Sequence, residues 1–374
     1  MTWLRSKLRR AWRWLGVRVR MRVAICQLRA RSGQSMVLGF YLNRREVLAA
    51  AAVRPDASLV RFNFLRRGRG LSHAERERFL DQVARITAGT RPTVICWGIR
   101  DRTNGHDLGE VFPEVVRVET SLLRGPHHRR LRTGFMMDRT GIYFDGRSPS
   151  ETESELQALP RGYAARSTVA LRMLEHVRHS HVTMYVLADS SGISLVPGSL
   201  LILGQVNGDQ AIKETLTVAA SNLELVQWIC ANRPVPDVSK YYYKPHPRNR
   251  RDNDREIAEI RARHPDVQVI HPEVNVHKLF EGKPKVATMT SGAGLEAALH
   301  GCEVHTFGTS FYSNFGFTVD HFDCPRRTNR LSAEDVASFM WLDRTVYVDP
   351  RTRKPVSAES VFGLNFGESS GTMS

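Results

Sequence analysis

The order of elements predicts an open α/β fold built from two doubly wound domains, on three observations. Apolar runs of strand length alternate with segments of helix length through most of the chain. The second half repeats a strand, a polar turn and a helix several times over. The polar clusters able to do chemistry fall just after predicted strands, where ligands of such sheets bind. At 374 residues the chain has room for about two domains.

Residues 1–33 read as a basic helix. Trp3, Leu4, Leu8, Trp12, Leu15 and Val19 recur at three- and four-residue spacing, and residues 1–45 carry twelve Arg or Lys with no acid before Glu46. Such a segment suits an anionic membrane surface, with Trp and Leu down and cations toward the headgroups. A solvated basic arm, an RNA-binding tail and an organellar presequence are the alternatives. Strands are predicted at 36–42, 58–65, 93–97 and 115–119, with helices at 44–53 and 72–88. The second helix has Ser72 as N-cap and Glu75 three residues on, a capping box. Residues 124–140 read as a basic loop, 140–145 as a strand, and 150–159 and 162–179 as helices.

In the second half, strands are predicted at 199–206, 241–244, 267–270, 286–289 and 304–307. Helices are predicted at 212–232 (broken near Ser221), 255–263, 276–280, 295–300 and 331–342, the last capped by Ser332. The expected division is a basic membrane-surface segment 1–35, an N-terminal Rossmann-like domain 36–195, a C-terminal Rossmann-like domain 196–345, and a return segment and tail 346–374. Two such domains facing a cleft make the GT-B arrangement.

Composition narrows the classes. The net charge is +16, but only 8 of the 54 basic residues are Lys, and no nucleic-acid module accompanies them, so nucleic acid is not an expected partner. Five Cys without CxxC or Cys/His spacing point to a reducing compartment and no structural zinc. No apolar run approaches the roughly 20 residues that span a bilayer, and the N-terminus lacks a secretory-signal pattern. The expected location is the cytoplasmic side of a membrane.

Three clusters carry the chemistry. Residues 286–308 (VATMTSGAGLEAALHGCEVHTFG) run from a strand through Thr290, Ser291 and Gly292 into a helix, a local pattern that offers N–H groups and a helix dipole to phosphate. Glu296 would sit roughly 7–8 Å along the axis from the helix start, about right for a ribose. An ordinary turn with a solvated Glu is the alternative. In GQVNGD, Gln205 and Asp209 would place an amide and a carboxylate on a ligand, unless Asp209 is simply a helix N-cap. In YYYKPHP, Lys244 and His246 stand between or beside prolines that fix the backbone, which suits aiming an imidazole at a phosphate. Downstream, GTSFYSNFGFTVD is a lid or acceptor wall containing Tyr312, and Arg326 and Arg327 would hold a carboxylate. A packed connection with a solvated basic pair is the alternative there.

GQVNGD, YYYKPHP, TSGAGLEAALHG, GTSFYSNFGFTVD and the upstream DRTGIYFDGRSPSETESEL stand in the order seen in bacterial capsule-polysaccharide biosynthesis proteins. The chain resembles the retaining β-Kdo transferases among them, over roughly residues 116–362. The resemblance implies a GT-B fold, CMP-β-Kdo as donor, a lipid-linked glycan as acceptor, and no metal or other cofactor. It makes Asp209 the nucleophile. Gln205, Lys244, His246, Thr290, Ser291, Gly292 and Glu296 become donor-binding residues, with Tyr312, Arg326 and Arg327 on the acceptor or carboxylate side. Glu119 stands where relatives carry an acidic pair, and inherits their acid/base role. The implied setting is the inner face of the bacterial inner membrane, within reach of a capsule-assembly complex. A sialyltransferase-like enzyme using CMP-neuraminate and a non-catalytic assembly subunit are the rival readings.

Overall fold

The computed structural model describes residues 2–31, 34–43, 46–65, 71–123, 133–180 and 194–362, with side chains described from Leu15 onward except those of 180 and 250–252. The strands are β1 (Met36–Phe40), β2 (Ser58–Arg61), β3 (Thr93–Trp97), β4 (Val115–Thr120), β5 (Gly134–Asp138), β6 (Leu200–Leu203), β7 (Tyr241–Lys244), β8 (Val267–Val269), β9 (Lys285–Thr288), β10 (Val304–Thr306), β11 (Val319–Asp320), β12 (Thr345–Val348) and β13 (Pro355–Val356). The helices are α1 (Thr2–Ala30), α2 (Leu48–Val53), α3 (His73–Thr87), α4 (Arg100–Thr103), α5 (Glu151–Ala158), α6 (Thr168–Ser180), α7 (Gln210–Lys213), α8 (Asn222–Asn232), α9 (Arg250–Arg263), α10 (Val276–Phe280), α11 (Ala293–Leu299), α12 (Ala333–Ser338) and α13 (Ala358–Phe362).

The chain forms two compact α/β units. The first gathers the described residues of Met1–Ser121, Arg130–Ile142 and Thr345–Val361, and the second those of Leu122–Arg129, Tyr143–Arg344 and Phe362–Ser374. In the first, the sheet order is β13-β12-β5-β4-β3-β1-β2. Strands β2, β1, β3 and β4 run parallel, while β5, β12 and β13 join antiparallel. Its core stacks Phe40 on Phe62 at 4.6 Å, with Phe79 and Phe64 edge-on nearby. The capping box of Ser72 and Glu75 forms as its spacing predicts.

Helix α1 is not a separate surface segment. Val17, Ala24, Ile25 and Leu28 are buried in the same cluster as Phe40, Val60 and Phe79, and Arg18 pairs with Glu75 on α3. Leu15, Val19 and Val23 remain about half exposed. At about 100° per residue this exposed stripe lies opposite the buried face. The side chains of Trp3, Leu4, Leu8 and Trp12 lie outside the described residues.

The predicted boundary near 190–198 is displaced. Helices α5 and α6 pack into the second unit, where the Asp335 carboxylate accepts the N–H groups of Gly162 (3.1 Å) and Ala164 (2.9 Å). The expected return segment contributes β12, which pairs with β5 in the first sheet. That strand, β5, falls in what reads as the basic loop. The predicted strand 140–145 is a turn, because side chains capture its backbone donors. Asp138 Oδ1 accepts from Thr140 (3.0 Å) and Gly141 (2.7 Å), and Asp145 Oδ1 from Arg147 (2.9 Å) and Ser148 (3.1 Å).

The second sheet, β11-β10-β9-β6-β7-β8, is parallel at every described pair. Strand β6 is buried throughout: Leu200 and Ile202 face one cluster with Tyr243 and Phe307, Leu201 and Leu203 the other with Tyr242 and Val286. The expected helix break near Ser221 is a true interruption, with Ser221 capping α8. Ser332 and Asp335 close a capping box on α12.

Candidate active site

Strand order locates the ligand edge of the second unit. From β6 the chain moves to β7 and β8 on one side, then returns to β9 on the other, so β6 and β9 flank a topological switch point. Open parallel sheets bind ligands beyond the carboxyl ends of the strands at such a point. The loops after β6, β7 and β9 carry the three clusters singled out by sequence.

Gln205 ties this edge together. It is buried, its Oε1 accepts the Thr290 N–H at 2.7 Å, and its Nε2 donates to Thr290 Oγ1 at 3.0 Å. Its own N–H donates to Asn222 Oδ1 (2.8 Å), and its carbonyl accepts from Asn222 Nδ2 (3.0 Å) and Asn249 Nδ2 (2.7 Å). Asn249 Oδ1 in turn accepts from Asn207 N at 3.0 Å, and Asn253 Nδ2 donates to the His246 carbonyl at 3.2 Å. Glu256 accepts from Asn222 Nδ2 at 3.1 Å and from the Tyr243 hydroxyl. The β6, β7 and β9 loops thus share one buried polar network. The sequence places Gln205 on a ligand; its described bonds are to the protein. Asn222, Asn249 and Glu256 escape a reading of the sequence because each looks like an ordinary residue of a helix start or an amphipathic helix.

Asp209 is the N-cap of α7, accepting from Ala211 N at 3.2 Å after Gly208 turns the chain at φ 70°. Burial raises its carboxyl pKa, against the N–H groups of Ala211 and Gln210 and the charges of Arg248 and Lys213. His246 Nδ1 accepts from Arg248 N at 3.2 Å, which leaves the proton on Nε2. Burial, then Lys244 and Arg248, pull its pKa from 6.5 to about 4. At neutral pH it is an uncharged N–H donor.

The turn after β9 is braced from within. Ser291 N donates to Thr288 Oγ1 (3.2 Å), Ser291 Oγ accepts from Ala293 N (3.3 Å), and Tyr312 Oη donates to the Ser291 carbonyl (2.7 Å). Gly294 is required there, since a Cβ would lie 2.0 Å from the Tyr312 oxygen. Gly292 is not: its φ is −57°, and a Cβ would meet only Leu122 at 4.0 Å. Glu296 is mostly buried on α11, with Oε2 3.3 Å from His277 Nε2.

Four expected ligand groups bond to the protein itself. Tyr312 is fully buried behind the turn. Arg326 and Arg327 share the Glu153 carboxylate at 2.7 and 2.9 Å, and Arg327 also donates to the Ser313 carbonyl at 3.1 Å. The carboxylate they hold is the protein's own. Lys244 Nζ donates to the Pro272 carbonyl at 2.8 Å, and burial pulls its pKa down to about 8 against the effect of Glu273. Glu119 lies on β4 of the first unit, its Oε1 accepting from Thr120 N at 2.8 Å. Among the described residues no group of three or more His, Cys, Asp or Glu is placed to hold a metal ion.

Two Rossmann-like α/β units, one with its polar loops gathered at a parallel switch point, define a fold of the glycosyltransferase GT-B class. Residues 195–349, the segment that holds this edge, match the family model of capsule polysaccharide biosynthesis proteins, as the ordered motifs imply. The chain is similar in structure to Thermosulfurimonas dismutans KpsC, beta Kdo 2,7 transferase, with a TM-score of 0.64 and 20% identity over 88% of this chain and 99% of that one. It is equally similar to Thermosulfurimonas dismutans KpsC, beta Kdo 2,4 transferase, at TM-score 0.64 and 22% identity over 88% and 97%. These likenesses establish the fold. In sequence it is 28% identical to the lipopolysaccharide-processing protein LpsZ of Rhizobium meliloti over 66% of this chain and 58% of LpsZ. It is 25% identical to the capsule polysaccharide modification protein LipA of Neisseria meningitidis over 75% of this chain and 40% of LipA. The chain thus spans only about half the length of these curated relatives.

The His246 environment has a measurable consequence. Its resonances followed by heteronuclear NMR should titrate near pH 4 with the Nε2–H tautomer dominant above that. The sign follows: the unfolded chain binds this proton below about pH 6.5 while the folded one does not, so stability falls as the pH drops toward 4. A midpoint between 6 and 7 would show that the ring is solvated.

Proposed function

We propose that the protein is a retaining glycosyltransferase that moves Kdo from CMP-β-Kdo to a lipid-linked glycan acceptor in capsule or surface polysaccharide biosynthesis. The observation that carries this reading is the Gln205–Thr290 clamp, which brings the Asp209 loop, the His246 loop and the turn at 290–292 to one switch-point edge. The motif order, the family match and the fold of the two KpsC transferases support the same chemistry.

In this scheme the Asp209 carboxylate attacks the anomeric carbon as the bond to the phosphate oxygen breaks, and CMP leaves with the electron pair. The acceptor hydroxyl then attacks the same carbon, expelling the Asp209 carboxylate and giving net retention. By the motif resemblance alone, Glu119 takes the acceptor's proton. His246, as a neutral Nε2–H donor, would bond the departing phosphate, and the N–H groups near Gly292 would add to its stabilisation. No metal or other cofactor enters the scheme. Partial burial of Asp209 suits a nucleophile, since a less solvated carboxylate is more reactive than one in bulk water.

The test is CMP release and product analysis after incubation with CMP-Kdo and a bacterial membrane lipid extract, with CMP-neuraminate as the competing donor. Asp209→Asn should lower turnover on the order of 10³-fold while leaving CMP binding in place. Turnover at the wild-type rate would remove Asp209 from the mechanism, and preference for CMP-neuraminate would change the donor.

We further propose that α1 holds the enzyme to the inner face of the inner membrane. No helix among the described residues is long and apolar enough to cross a membrane. The half-exposed stripe of Leu15, Val19 and Val23 is bordered by exposed Arg20 and Arg22, the arrangement of an interfacial helix. Leu15→Glu with Val19→Glu should abolish sedimentation with anionic vesicles without altering thermal unfolding. Leu28→Ala, on the buried face, should leave sedimentation intact and destabilise by about 2–5 kcal/mol. Equal sedimentation of wild type and both variants would exclude α1 as the membrane contact.

A further inference from the structure

Glu296 stands one helical turn beyond the turn at 290–292, beside a residue outside every motif. His277, on α10, is fully buried. Its Nε2 lies 3.3 Å from Glu296 Oε2, and its Nδ1 lies 2.8 Å from His300 Nε2. His300 caps α11, and its N–H reaches back to the Glu296 carbonyl at 3.3 Å.

His277 on α10 therefore touches both the Glu296 carboxylate and the His300 ring. Phe280 and His300 pack tilted against one another and edge-on against His277, with centroids at 6.0 and 5.0 Å from the His277 ring. The Nδ1 contact with His300 is a hydrogen bond, while Nε2 lies within ion-pair distance of the carboxylate without hydrogen-bond geometry. In the neutral tautomer that puts hydrogen on Nε2, toward the carboxylate, Nδ1 offers its lone pair and His300 Nε2 donates to it. A buried imidazole in place of an aliphatic side chain requires hydrogen-bond compensation; His300 supplies it at Nδ1, and Nε2 is left facing the Glu296 carboxylate. Glu296 Oε1 takes no hydrogen bond among the described residues.

We propose that His277, held by His300, is a positioning residue that turns Glu296 toward the ribose hydroxyls of the donor nucleotide and so sets a preference for ribonucleotides. This rests on the nucleotide reading of the turn at 290–292. The carboxylate accepts from a ribose hydroxyl through Oε1 while the attraction of His277 Nε2–H keeps Oε2 beside it. A 2′-deoxyribose offers one donor fewer. Without the imidazole N–H, Glu296 turns away and the distinction between the two sugars fades.

The experiment is calorimetric titration of the full chain with CMP and with 2′-deoxy-CMP. Wild type should bind CMP more tightly by about 10-fold, the scale of one hydrogen bond to a charged group. Glu296→Gln should bring the ratio near one. Two variants of His277 separate aim from packing. Gln can place its amide N–H where Nε2 was, and should retain a clear preference. Asn mimics only the Nδ1 position, and should lose the preference while its affinity for 2′-deoxy-CMP stays within about 2-fold of wild type. Equal loss of both ligands in the Asn variant, with the ratio preserved, would make His277 merely structural and overturn the proposal. A wild-type ratio of one would also overturn it while leaving the nucleotide site standing. Wild type that binds neither ligand would overturn both readings.

Discussion

The second unit depends on one buried amide. Parallel strands that diverge at a switch point leave the backbone beyond their carboxyl ends without a sheet partner, and buried main-chain groups need one. Gln205 supplies it across β6 and β9, and Asn222 and Asn249 do the same for the Gln205 main chain. Each such bond contributes only about 1 kcal/mol net, but an orphaned buried partner costs about 1–3 kcal/mol. A network so densely cross-bonded is therefore held in one arrangement. That rigidity positions the loops bearing Asp209 and His246, and it keeps Gln205 itself away from solvent.

Several charges of this strongly basic chain are engaged in ion pairs within each unit. Arg326 and Arg327 converge on Glu153, Arg344 bonds Glu151 and Glu155, and in the first unit Arg117 meets buried Asp101 at 2.7 Å. Buried pairs of this kind add little net stability over an apolar packing, because desolvation offsets attraction, but removing one partner strands the other. The exposed basic residues that border the stripe on α1 are a different population, turned to solvent where an anionic surface can meet them.

Much of this organisation is legible in the residues. Strands β3 and β7, the caps Ser72, Ser221 and Ser332, and the clustering of chemistry at strand ends all follow from local signals. What escapes depends on partners distant in sequence. Strand β5 is a strand because β4 and β12 flank it, and β12 arrives some two hundred residues later. The face of α1 that carries Val17, Ala24 and Leu28 is hidden behind the stronger Trp/Leu periodicity. Arg326 and Arg327 read as carboxylate-holding groups with no sign that Glu153 stands beside them, and Tyr312 reads as part of a lid or acceptor wall with no sign that Gly294 makes room for it behind the turn. In each case the residue type is plain and the partner is not, since spacing along a chain does not tell which carboxylate or which glycine will face it.

A crystal structure of the protein with bound CMP would test the account most directly. It predicts the nucleotide beyond the carboxyl ends of β6 and β9, its phosphate within hydrogen-bond distance of His246 Nε2 and of the main chain near Gly292, with the Gln205–Thr290 bonds unchanged. CMP seated elsewhere, or a Gln205 amide that leaves Thr290 to reach the ligand, would contradict it.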